Sequence, residues 1–201
     1  GQLLLINAFI FSNYSAFAAL KEGGSVVTWG LAEDGGDSSN VADQLSSGVV
    51  NISSSIDAFA ALKDDGSVVT WGVAESGGNP SYTDTSDVSI SVADQLTSGV
   101  IKIFSARLAF AALKDDGSVV TWGKAIDGGD STSVANQLTG VIKIFSARFA
   151  FAALKEDGSV VTWGLAEDGG NSTSVANQLT GVVNIFSTTY SFAALKNDGR
   201  V

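Results

Sequence analysis

Five near-copies of one phrase constrain this chain more than any other feature. Phe-Ala-Ala-Leu-Lys begins at Phe17, Phe59, Phe110, Phe151 and Phe192. The first four copies run on through a glycine turn to Val-Val-Thr-Trp-Gly, so that all four tryptophans, Trp29, Trp71, Trp122 and Trp163, hold one place in the unit. Successive copies start 42, 51, 41 and 41 residues apart. A fixed period of roughly 20–50 residues marks a repeat architecture, in which each unit becomes stable by stacking on its neighbours.

The third unit shows the plan. Val100-Ile-Lys-Ile-Phe-Ser105 is β-branched and partly alternating, which predicts a strand. Phe110–Lys114 predicts a second strand, Asp115-Asp116-Gly117 a tight turn, and Ser118–Trp122 the returning strand. A polar, glycine-rich loop from Gly123 follows. It ends in Val134–Leu138, where one helical turn is expected with Ser133 as its N-cap. The second unit carries about nine extra residues around Pro80–Asp87, in the same loop, and they are expected to emerge there without disturbing the strands. Paired alanines in each middle strand (Ala60/Ala61, Ala111/Ala112) leave both strand faces apolar. That pattern suits sheets buried on both sides by like neighbours, with the tryptophans filling the gaps between units.

The fold class expected is therefore all-β: tandem three-stranded antiparallel units of about 41 residues, β-propeller-like, and either incomplete or closed by strand exchange. The chain reads as one array over 1–201, with units near 1–48, 49–99, 100–140, 141–181 and a truncated 182–201.

Composition narrows the function. There is no Cys, Met or His, which removes thiolate and imidazole metal sites, Cys nucleophiles and Ser-His triads. No acid–base constellation emerges, so an enzyme is not expected. The formal charge is −10, with 11 basic against 21 acidic residues and no basic stripe, which argues against nucleic-acid partners. No stretch reaches the roughly 18–20 apolar residues of a membrane helix, so no membrane insertion is expected.

Ala60-Ala-Leu-Lys-Asp-Asp-Gly-Ser-Val-Val-Thr-Trp71-Gly72 and its copies resemble the hairpin signature of the regulator of chromosome condensation type of β-propeller repeat. The likeness covers almost the whole chain. The short period is closer to short-blade secreted bacterial members, among them a propeller-type β-lactamase inhibitory protein. The resemblance implies the propeller fold. It does not carry over the family's nucleotide-exchange and chromatin roles, because Ser105-Ala-Arg-Leu108 and Ser146-Ala-Arg-Phe149 stand where the family usually has Gly-x-x-His.

Two sets of residues are candidate sites. Asp34, Asp37, Asp127, Asp130 and Asp168 lie in the Asp-Gly-Gly-Asp/Asn loops, where carboxylates and a pliable backbone suit Ca²⁺. Solvated turn chemistry is the default reading of the same residues, and no other cofactor is expected. The acid pairs Asp64-Asp65, Asp115-Asp116 and Glu156-Asp157 read as turns, since adjacent carboxylates cannot flank a glycosidic bond.

The second set lies at the positions that vary between copies: Tyr14, Ile56, Arg107, Arg148 and Thr189, followed by Ser15, Asp57, Leu108, Phe149 and Tyr190. Arg107, Leu108, Arg148, Phe149 and Tyr190 would give an aromatic–arginine surface of the kind enriched at protein interfaces.

The apolar opening Leu3-Leu4-Leu5-Ile6 is expected to supply the strand the last unit lacks, within the chain or to the next molecule. The leading expectation is a non-catalytic structural or adhesive module, extracellular or at a cell surface, partnered with itself or with a longer array. The alternative is a protein-binding propeller, inhibitor-like or scaffolding, that engages another protein through the variable rim.

Overall fold

The computed structural model describes residues 8–82 and 91–201. The opening segment that includes Leu3, Leu4, Leu5 and Ile6 lies outside them, as does most of the second-unit insertion. Among the described residues, fourteen strands form five separate antiparallel sheets. The first holds β1 (Phe9–Ser12), β2 (Ala16–Leu20) and β3 (Val26–Gly30). The second holds β4 (Val49–Ser54), β5 (Ala58–Lys63) and β6 (Val68–Gly72). The third holds β7 (Val100–Ser105), β8 (Ala109–Lys114) and β9 (Val119–Gly123). The fourth holds β10 (Val141–Ser146), β11 (Ala150–Lys155) and β12 (Val160–Gly164). The fifth pairs β13 (Val182–Ser187) with β14 (Phe192–Lys196). Each sheet is a blade whose strands lie side by side in sequence order, and no sheet closes into a barrel.

The hairpin turns explain the Asp-Gly-Ser triplet. Gly117 takes φ +76°, which a side chain resists, and Asp116 accepts bonds from both the N–H and the hydroxyl of Ser118 (2.9 and 2.6 Å). The Ser118 bonds hold the Asp116 carboxyl below its ordinary range. The first strand of a blade is less regular. Its register slips between Val100 and Lys102, and this bulge leaves Ile101 facing solvent.

Among the described residues there is no single core. Four apolar clusters lie between successive blades. The alanines on the back of one middle strand meet a Phe and a Trp on the front of the next blade. Ala58, Ala60 and Leu62 seat Phe110 and Trp122, for instance. The two rings lie across from each other in the β8–β9 register and stack with centroids 5.3 Å apart.

The loop leaving each blade closes the joint. In the loop after β6, Gly77 turns left-handed (φ +95°) and lies flat on Phe110, where a Cβ would come within 2.5 Å of the ring. Its carbonyl accepts the Trp122 Nε1–H at 3.1 Å. Gly35 with Trp71 and Gly128 with Trp163 repeat that bond, each at 3.0 Å. Middle strands that are apolar on both faces thus set the stacking, and the Gly-Gly loop locks each blade to the next.

The expected turn at Val134–Leu138 forms, but as a 3-10 turn over Thr132–Gln137 preceded by Ser131. Ser133 is not its cap. Asp130 accepts the Thr132 N–H at 2.8 Å, and the Ser131 hydroxyl is bound by Thr121 at 3.0 Å. A carboxylate two residues before the turn competes better for a backbone donor than a hydroxyl inside it.

Candidate functional site: the variable rim

At one end of the blades, the turn between first and second strands carries the variable positions. Their backbones form a ladder from blade to blade. Tyr14 N–H donates to the Ile56 carbonyl (3.0 Å), Ile56 to Arg107 (2.9 Å), Arg107 to Arg148 (2.8 Å) and Arg148 to Thr189 (2.9 Å). The main chain fixes the spacing of these residues, and their side chains are free to differ.

Four of the five expected binding residues come together here. Arg148 lies over Phe149 (4.9 Å to the ring centroid), and Arg107 approaches the same ring at 5.6 Å. Arg148 Nη1 donates to the Tyr190 hydroxyl at 3.1 Å. Arg148 and Tyr190 are exposed, while Arg107 and Phe149 are half-buried. Guanidinium groups stacked on an aromatic face are held in place with part of their entropy already lost. Leu108 is buried, and its carbonyl accepts from Lys124 N–H at 2.8 Å, so it supports the rim from below.

The loop acids divide into two kinds. Asp37, exposed, and Asp130, half-buried, are turn-formers that accept from Ser39 and Thr132 backbone N–H groups. Asp34, Asp127 and Asp168 point inward at the rim end of the loops that follow β3, β9 and β12. Asp34 accepts from the Ser15 hydroxyl, and its carbonyl takes the Asn13 amide at 2.6 Å. Asp127 and Asp168 are buried, each with one carboxylate oxygen lacking a hydrogen-bond partner. Spread over different blades, the acids are not gathered: among the described residues, no three Asp or Glu stand close enough to hold a metal ion.

Comparison of the copies placed Asp57 among the variable positions but did not pair it with Ser76, which it did not single out. Ser76 takes the loop position of Asp34 and Asp127, and its hydroxyl donates weakly to Asp57 at 3.4 Å. Burial pushes the Asp57 carboxyl up and Asp34 adds repulsion, against the pull of Ser76 and Arg107. The signal available was that Ser76 is the one non-acid in its column.

Burial also raises the Asp127 carboxyl, opposed by Lys124 and Arg107. A carboxyl raised on folding stabilises the fold when protonated, and that contribution is lost as pH rises through the raised value. Asp127→Asn is therefore expected to raise the thermal midpoint at pH 7. The gain should shrink as pH falls toward the ordinary carboxyl value of 3.8. Circular dichroism melts at several pH values check it, and a variant less stable than wild type at pH 7 would refute it.

No protein-family model matches the sequence, and no curated protein matches it. Solved structures do match its shape. Prp20p from Saccharomyces cerevisiae is 16% identical with a TM-score of 0.53, over 98% of this chain and 52% of that one. Human WBSCR16 is 16% identical with a TM-score of 0.51, over 95% and 53%. The CRINKLY WD40 ectodomain of the Arabidopsis thaliana receptor kinase ACR4 is 19% identical with a TM-score of 0.50, over 81% and 55%. The fold is that of a propeller-like array. The chain spans about half the length of the structures it matches. At this identity the likeness speaks for the fold alone. Among the described residues, no helix is long and apolar enough to cross a membrane.

Proposed function

We propose that this chain is a non-catalytic protein-binding module that engages its partner through the variable rim. The observation that carries the reading is the Arg107–Phe149–Arg148–Tyr190 cluster, exposed in part and organised by the blade-to-blade ladder. Aromatic and arginine residues held in one geometry are what binding hot spots are made of. Propellers of similar shape have protein partners: the Prp20p structure was described with its binding to Gsp1p and histones. The short repeat supports a place among short-blade propellers, as the resemblance of the hairpin signature implies.

The test uses protein–protein capture with wild type and two variants, Arg148→Ala and Phe149→Ala. Each substitution is expected to weaken the specific partner by about 1–2 kcal/mol, some five- to thirtyfold, with the melting curve little changed for Arg148→Ala. Equal capture by wild type and both variants would rule out the rim as the binding surface.

A further inference from the structure

The first blade presents to solvent the same face that the second, third and fourth blades bury. Ile10 is 64% exposed, and Phe17, Val27 and Trp29 are each 43% exposed. Their equivalents in the third blade, Ile103, Phe110, Val120 and Trp122, are 0–5% exposed. The chemistry is the same side chain at all four positions. The difference is that later blades have a neighbour in front of them.

The fifth blade presents the part of the matching surface that its two strands carry. Phe186, Ala193 and Leu195 occupy the places held in the third blade by Phe104, Ala111 and Leu113, which pack against the front of the fourth. Phe186 and Ala193 are exposed. The ladder is open in the same sense. Thr189 N–H has no acceptor and the Tyr14 carbonyl no donor among the described residues. One is the donor the next rung needs, and the other is its acceptor.

We infer that a second copy of this chain docks here, the back of its fifth blade against the front of the first, continuing the interface already formed inside the molecule. Such a contact is heterologous, so it either closes a ring or extends. Exposed apolar side chains that are complementary to a surface on the same molecule drive it. The internal joints show which groups meet: the second copy's Ala193 and Leu195 against Phe17 and Trp29, and its Thr189 N–H on the Tyr14 carbonyl.

The experiment is light scattering behind size exclusion, with wild type followed over roughly a hundredfold range of concentration. The mass is expected to rise from one chain to two or more. Front-blocked variants (Ile10→Lys, and independently Trp29→Lys) and a back-blocked variant (Ala193→Lys) are each expected to stay at one chain. Circular dichroism would show them folded. An equimolar mixture of Ile10→Lys with Ala193→Lys keeps one good front and one good back, and should form a species of two chains and no more. A wild type that stays monomeric throughout overturns the inference. So do single variants that still assemble, or a mixture of folded variants that does not.

Discussion

Trp122→Ala is expected to cost the fold about 3–5 kcal/mol, the range for emptying a buried aromatic site. Trp122 is fully buried, stacked on Phe110, and donates to the Gly77 carbonyl. Removing it opens a cavity between the second and third blades and strips a buried carbonyl of its donor. For a chain of this size the midpoint should fall by on the order of 10 °C.

Trp29→Ala removes the same side chain from the same sequence context, yet its cost should be about 1 kcal/mol or less, mostly the stack on Phe17. Within one chain, no blade among the described residues lies in front of it, so the comparison is made at concentrations where the chain is monomeric. Thermal denaturation followed by far-ultraviolet circular dichroism compares the two without relying on tryptophan emission. Equal losses would mean that the joints between blades do not carry the stability, and that each blade holds itself up. Because the array is coupled only neighbour to neighbour, Trp122→Ala should also separate the melting of the first two blades from that of the rest.

The second large effect is expected at Gly128. Its φ is +96°, and an added Cβ would stand 2.6 Å from Phe151 Cδ2. Gly128→Ala therefore combines left-handed strain with overpacking of the joint, for about 2–5 kcal/mol together. Gly140 is the control. It also has a positive φ (+63°), but a Cβ there meets nothing within 4 Å. Gly140→Ala should lose only about 1 kcal/mol, the backbone part. Urea titration of both variants separates strain from collision. If Gly140→Ala were as damaging as Gly128→Ala, contact with the Phe151 ring would not be what makes the Gly-Gly loop intolerant.

The strands were legible because a repeat shows its own pattern five times. Val100–Ser105 forms where β-branched residues predict it, and the following strands begin and end within one residue of the sequence reading. Burial of both faces was readable from the paired alanines. The loop was harder. Gly77 and Gly78 read equally well as solvated turn, and nothing local says that one of them rests on a ring 33 residues further along. That contact is between units, and a pattern found within a unit does not reveal it.

The rim was half legible. Comparing copies identified Arg107, Arg148, Phe149 and Tyr190 as variable, and the structure adds a reason the first two can vary: Arg107 and Arg148 join the ladder through backbone groups alone. The acids of the Asp-Gly-Gly loops look alike in sequence. They differ in space because one faces the rim interior and the other caps a turn at the surface.

The joint between blades also says where this architecture has room for novelty. Between β6 and β7 the chain runs from Gly72 to Val100, against Gly123 to Val141 in the next interval. Despite that extra length, Trp122 reaches the Gly77 carbonyl, and Trp163 reaches that of Gly128. The joint draws on Gly77 soon after the tryptophan and on Leu96 near the next strand, and the loop lengthens from a point between the two. Segments of foreign sequence could be spliced in at that point, one per blade, and displayed side by side on a frame whose alignment does not depend on them.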